Sequence, residues 1–216
     1  MIEITSLPVA GYEDRPVNNT FVQQSAETAH LAIVVPGYRH SVDKPDLHFA
    51  AQVLLARGAD VLQVEYAYSR TDFRARTEAE QDRWLSTDVS AACEAGLTQR
   101  SYNRITLVGK SLGTVAMGQL LADPRFQKAT CIWSTPILAL DWLRTRIAEV
   151  KPPSLFIIGT ADAFYNPTQL AELETATGGR SLVLEGVDHS LGIPGDIAGS
   201  LDALTRIVAA IQDFIV

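Results

Sequence analysis

Ile105, Thr106, Leu107, Val108, Gly109, Lys110, Ser111, Leu112, Gly113 is the stretch on which the reading of this chain turns. A β-prone run, Ile105 to Val108, is followed by a Gly-x-Ser-x-Gly pattern and then by a small-residue helical stretch reaching about Ala122. Strand, sharp turn and helix in that order form an elbow that forces the central residue into a strained backbone conformation and exposes its side chain. Glycines two positions to either side remove the Cβ atoms that would collide there. Ser111 is therefore the candidate nucleophile. The letters Gly109, Lys110, Ser111 could also close a phosphate-binding loop, but that motif needs a glycine where Arg104 stands. Lys110 reads as a neighbour of Ser111 whose side chain points away from Oγ, not as the base of a Ser-Lys pair.

Outward from the elbow, strands and helices alternate. Leu31 to Val35 is a continuous apolar run, as in a strand covered on both faces, and Pro36 and Gly37 end it. Asp46 is placed to cap a helix from Leu47 to Arg57, stopped by Gly58, with a second buried strand at Val61 to Glu65. A polar-faced helix is expected from Arg74 to Ala95. Strands follow at Ala129 to Trp133, Ser154 to Ile158 and Ser181 to Leu184, with helices at Asp141 to Val150, after Asn166–Pro167, and from Asp196 to Val216. Residues Met1 to Gln24 read as a strand or hairpin at a sheet edge. This alternation predicts an α/β fold with a mostly parallel central sheet of about seven to eight strands and helices on both faces. Ligands of such sheets sit beyond the carboxyl ends of the strands.

Two residues at those ends complete a pattern. Asp162 follows the strand ending at Ile158, and His189 follows the last strand, giving the chain order Ser111, Asp162, His189. A serine hydroxyl is scarcely ionised at neutral pH and needs a base, for which imidazole is the best match. A carboxylate then fixes the imidazole tautomer and stabilises the imidazolium. Asp141 and Asp188 are alternative acids, and His30, His40 and His48 alternative histidines; His30 lies at the amino end of its strand, on the wrong edge. Negative charge developing on a carbonyl oxygen would be met by the backbone N–H of Leu112 and by that of Tyr38 in the loop after the first central strand. Arg39, Tyr66, Arg70, Trp133 and Phe164 lie in segments near the same edge and are candidates for contacting substrate.

On these residues the chain resembles the α/β-hydrolase superfamily, over nearly its whole length from Leu31 onward. The resemblance implies an α/β-hydrolase fold and hydrolysis through an acyl-enzyme. Many members insert a lid of several helices in the region that here runs from Trp133 to Pro152, about 18 residues. That leaves room for one short helix, so the chain resembles the small lidless members, with residues 1–216 as one domain without a large cap. Dienelactone-hydrolase relatives carry cysteine in the elbow, where this chain has Ser111. The implied activity is a serine hydrolase cleaving a carboxylic ester or thioester; amide hydrolysis, acyl transfer or a non-catalytic binding role on the same fold are the alternatives.

Composition agrees. The 216 residues are 47% hydrophobic, enough for a full core, and the net charge of −7 offers no electrostatic reason to bind nucleic acid or an anionic membrane. Cys93 and Cys131 lack the spacing of a zinc or redox pair and read as buried free thiols, which suits a cytoplasmic location. The amino terminus lacks the features of a signal peptide, and the apolar closing segment is broken by Asp202, Arg206, Gln212 and Asp213, so no membrane span is expected. The histidines show no metal-ligand spacing and no dinucleotide-binding glycine loop occurs, so the expected partner is a small-molecule acyl substrate, with no metal and no cofactor.

Overall fold

A computed structural model describes residues 2–66, 68 and 70–215, with the side chains of Arg70 and Thr71 outside the description. Eight strands form one sheet: β1 (Ile2–Thr5), β2 (Asn18–Gln24), β3 (His30–Val35), β4 (Asp60–Glu65), β5 (Arg104–Lys110), β6 (Thr130–Ser134), β7 (Ser154–Gly159) and β8 (Arg180–Leu184). Their spatial order is β1-β2-β4-β3-β5-β6-β7-β8. The pairs β1·β2 and β2·β4 are antiparallel, and every pair from β4 to β8 is parallel. Strand β5, which leads into the elbow, is thus central, and the carboxyl ends of β3, β5, β6, β7 and β8 share one edge.

The helices are α1 (Pro45–Ala56), α2 (Arg70–Arg74), α3 (Glu78–Leu97), α4 (Leu112–Leu120), α5 (Asp141–Val150), α6 (Pro167–Thr177) and α7 (Ile197–Phe214). Two cores follow from the pleat of the strands, which sends alternate side chains to opposite faces. On one face Leu31, Ile33, Val35 and Leu107 pack with Val89, Val115, Leu143 and Leu173 from α3, α4, α5 and α6. On the other, Ala32, Val34 and Val108 pack with Leu47 and Leu54 of α1 and Ile207 and Ile211 of α7. Strand β3 is buried at all six residues, as its unbroken apolar run requires. Burying each large aliphatic side chain contributes about 1.5–3 kcal/mol.

Local chemistry shifts several expected boundaries. Helix α1 begins at Pro45, whose fixed φ suits a first helical position, so Asp46 lies inside the first turn and does not cap it. The helix expected from Arg74 starts later, at Glu78, because Thr77 and Glu80 form a reciprocal capping box that fixes its first turn; Arg74 instead ends the short helix α2, which was not expected. Helix α7 begins where expected, with the Asp196 side chain accepting from Gly199 N–H. Between β6 and β7 the chain holds α5 and no other helix. Cys93 and Cys131 are buried free thiols, and burial pushes the Cys93 thiol up to about 12. Among the described residues, no helix is long and apolar enough to cross a membrane.

His30 occupies the amino end of β3, 2.8 Å from Thr106 Oγ1 through Nε2. Burial, with a smaller contribution from the Arg104 charge, lowers its pKa from 6.5 to about 4. Between those values the unfolded chain binds a proton that the folded chain refuses, so stability falls as pH drops through that window. The variant His30→Gln keeps a hydrogen-bonding side chain but cannot titrate. Denaturant titrations from pH 4 to 7 should show a shallower loss of stability on acidification for this variant than for the parent protein.

Candidate active site

Ser111 sits between β5 and α4 with φ +50° and ψ −113°, a conformation that costs a non-glycine residue on the order of 1–3 kcal/mol. The surroundings over-determine it. Ser111 N–H donates to Ser134 O at 3.0 Å, tying the elbow to the end of β6. Its carbonyl accepts from Thr114 N–H at 2.8 Å and from Thr114 Oγ1 at 2.6 Å, which starts α4 immediately. Close approach explains the flanking glycines. A Cβ at Gly109 would lie 2.4 Å from Met117 Sδ, and one at Gly113 would lie 2.1 Å from Val35 O. Neither is a distance that real Cβ atoms adopt, and Val35 O is backbone that cannot move aside.

The partner loops converge on this turn. Gly159 ends β7 against the loop after β8, where a Cβ would meet Val187 O at 1.9 Å. That close pairing brings Asp162 and His189 together: His189 Nδ1 stands 2.8 Å from Asp162 Oδ2, and His189 Nε2 stands 2.9 Å from Ser111 Oγ. The Asp162 side chain is fully buried and its other oxygen accepts from Phe164 N–H at 2.9 Å. Both carboxylate oxygens are therefore occupied, which fixes the group that faces the imidazole. The His189 side chain remains 38% exposed, so the constellation opens to solvent.

The alternative acids are engaged elsewhere. Asp188 accepts from Ser190 N–H and Oγ and shapes the turn around His189, while Asp141 is exposed and pairs with Arg144 on α5. Of the other histidines, His30 is bound to Thr106, His40 lies 3.0 Å from buried Asp46 and His48 packs edge-on against Phe49. The Pro36–Tyr38 loop passes beside the elbow: a Cβ at Gly37 would be 3.2 Å from both Ser111 Cβ and Lys110 O. This brings the Tyr38 loop alongside Leu112, the first residue of α4, whose N–H lies at the positive end of the helix dipole.

The five candidate substrate contacts fare differently. Phe164 packs edge-on against the His189 ring, with centroids 5.4 Å apart. Trp133 is not at the site: it is fully buried in the core and donates through Nε1 to Ser154 Oγ, because its position on β6 points it into the helix-covered face. Tyr66 stacks on Tyr68 at 4.7 Å within an aromatic block that continues through Phe73 and Trp84, and burial pushes its phenol pKa up. Arg39 is exposed at φ +58°, and the side chain of Arg70 lies outside the described residues. A cavity of about 270 Å³ adjoins the His189 loop through Ser190 and Leu191 and is walled by Ile193, Ile197 and Leu201, but neither Ser111 nor His189 lines it.

Two residues with no assigned part in the sequence pattern prove to hold the elbow. Thr114 binds the Ser111 carbonyl, and Thr135, fully buried at φ +44°, accepts from Lys110 Nζ. A hydroxyl three residues after the elbow serine was the available signal for Thr114; nothing local marks Thr135.

An eight-stranded, mostly parallel sheet bearing a strained serine at its central strand end, with histidine and aspartate on the last two strand loops, defines the α/β-hydrolase class of fold. A family model described as an alpha/beta hydrolase domain matches residues 36–216, and the chain belongs to that family. Solved structures similar to it include an esterase of Pyrococcus furiosus, at 13% identity and TM-score 0.70, covering 100% of this chain and 92% of the other. An α/β serine hydrolase without lid from Xanthomonas campestris aligns at 18% identity and TM-score 0.72, covering 99% and 94% of the two chains. A cold-adapted esterase from an Arctic intertidal metagenomic library aligns at 17% identity and TM-score 0.67, over 95% and 93%. No curated protein sequence matches the chain.

Gly113→Ala should place a methyl group against the Val35 carbonyl and lower stability by roughly 3 kcal/mol, as overpacking of a filled site does. Equilibrium denaturation of this variant beside Gly178→Ala, where only the positive φ and no neighbouring atom opposes a Cβ, would measure the steric part.

Proposed function

We propose that this chain is a serine hydrolase that cleaves small carboxylic esters or thioesters through an acyl-enzyme, with residues 1–216 acting as one domain. The observation that carries the reading is the continuous pair of contacts, Asp162 Oδ2 to His189 Nδ1 at 2.8 Å and His189 Nε2 to Ser111 Oγ at 2.9 Å. In this reading Ser111 Oγ attacks the acyl carbon while His189 Nε2 takes its proton. Asp162 holds the Nδ1–H tautomer and stabilises the imidazolium. The backbone N–H groups of Leu112 and Tyr38 receive the charge on the carbonyl oxygen, each donor being worth on the order of 3 kcal/mol in the transition state. The imidazolium then protonates the leaving alkoxide or thiolate. Water, deprotonated by the same nitrogen, attacks the acyl carbon; the C–Oγ bond breaks, and His189 Nε2 returns the proton to Ser111 Oγ as the acid leaves. Every proton is accounted for by these side chains and water, so the reaction requires no cofactor.

The exposure of His189 and the single helix between β6 and β7 support substrates that reach Ser111 directly from water. Phe164 beside the imidazole supports an apolar wall for the acyl or alcohol group. The Pyrococcus and Arctic proteins are esterases, which favours an ester over an amide as the bond cleaved.

Purified protein should turn over p-nitrophenyl acetate and be labelled by a fluorophosphonate probe. Ser111→Ala should abolish labelling and lower kcat by roughly 10⁶-fold, and Asp162→Asn by roughly 10⁴-fold, the scale on which triad members act. Turnover and labelling that persist in Ser111→Ala would remove the assignment.

A further inference from the structure

Lys110 immediately precedes Ser111, yet it is only 2% exposed. Its Nζ donates to His189 O at 2.8 Å and to Thr135 Oγ1 at 3.0 Å. Thr135 is itself fixed, its N–H donating to Ile157 O at 2.7 Å. One side chain therefore joins three segments that meet only in the fold: the elbow, the residue following β6, and the loop that carries His189. Both acceptors are neutral. Buried lysine without a carboxylate in direct contact is an expensive arrangement, and an uncharged side chain of similar length would fill the space at lower cost.

We propose that Lys110 is a positioning residue for His189, clamping the backbone carbonyl of the residue whose imidazole must meet Ser111 Oγ. The assignment rests on the triad reading above. A charged donor holds a carbonyl about twice as strongly as a neutral one, and the clamp is anchored on the residue next to the nucleophile. Base and nucleophile are thereby held in register through a single tether. Burial pulls Lys110 below the ordinary lysine pKa, while Asp46 from α1, Asp162 after β7 and Asp188 after β8 favour its ammonium. His40 faces the same group through its contact with Asp46.

Lys110→Met and Lys110→Gln test this, with activity measured on p-nitrophenyl acetate and stability by thermal melting. Lys110→Met should melt no lower than the parent, since it replaces a buried charge with apolar volume. Its kcat should fall about 10²-fold, the scale of a small misplacement of reacting groups, with KM little changed. Lys110→Gln, which can still donate to His189 O, should recover part of kcat. The role is overturned if Lys110→Met retains the parental kcat, if its kcat and melting temperature fall together, if Lys110→Gln recovers no more kcat than Lys110→Met, or if neither variant folds. Ser111→Ala run alongside separates the two levels. Persistent turnover there overturns the triad itself, whereas an inactive Ser111→Ala beside a fully active Lys110→Met overturns only the clamp.

Discussion

The close approach of α4 to the end of β3 is the constraint on which the structure depends. Gly113 passes so near Val35 O that no side chain fits between them, and the same crowding holds Gly109 against the first turn of the helix. The chain can leave β5 and enter α4 there only through a residue with positive φ, and that residue is Ser111. Strain at the serine is thus the geometric price of packing a helix directly over the central strand. The hydrogen bonds from Thr114, and from Ser111 N–H to β6, make the strained conformer the only one the surroundings accept.

The same logic explains why the candidate site lies on one edge of the sheet. Parallel strands deliver their carboxyl ends together, so the loops after β3, β5, β7 and β8 become neighbours without contact between them in sequence. Gly159 brings the last two of those loops into van der Waals contact. Asp162 then meets His189 from a fully buried position, with both its oxygens engaged. A buried carboxylate that spent one oxygen on water would be free to rotate; this one is locked by the backbone of the turn it belongs to.

Electrostatics divides the neighbourhood into two tiers. Asp162 Oδ2 meets the His189 imidazole at Nδ1, while Lys110 Nζ donates to the backbone carbonyl of the same residue. The aromatic block of Tyr38, Tyr68, Phe73 and Trp84 serves a different purpose, packing the loop after β4 against the loop that carries the Tyr38 amide.

The sequence by itself determined the alternation of strands and helices, the elbow, and the order serine, aspartate, histidine, because each depends on local pattern: unbroken apolar runs, glycine spacing, and polar residues just past strand ends. It misplaced the starts of α1 and α3, where proline geometry and a capping box intervened, and did not show α2. The tertiary structure alone decided that Trp133 belongs to the core and Phe164 to the imidazole: the pleat of β6 turns Trp133 into the packed interior, whereas Phe164 is held beside His189 by the turn after β7, where its N–H donates to Asp162. It alone placed the Lys110 ammonium on a carbonyl 79 residues away. Hydrogen bonds of that span leave no mark on periodicity or propensity, because they exist only once distant loops have been packed side by side.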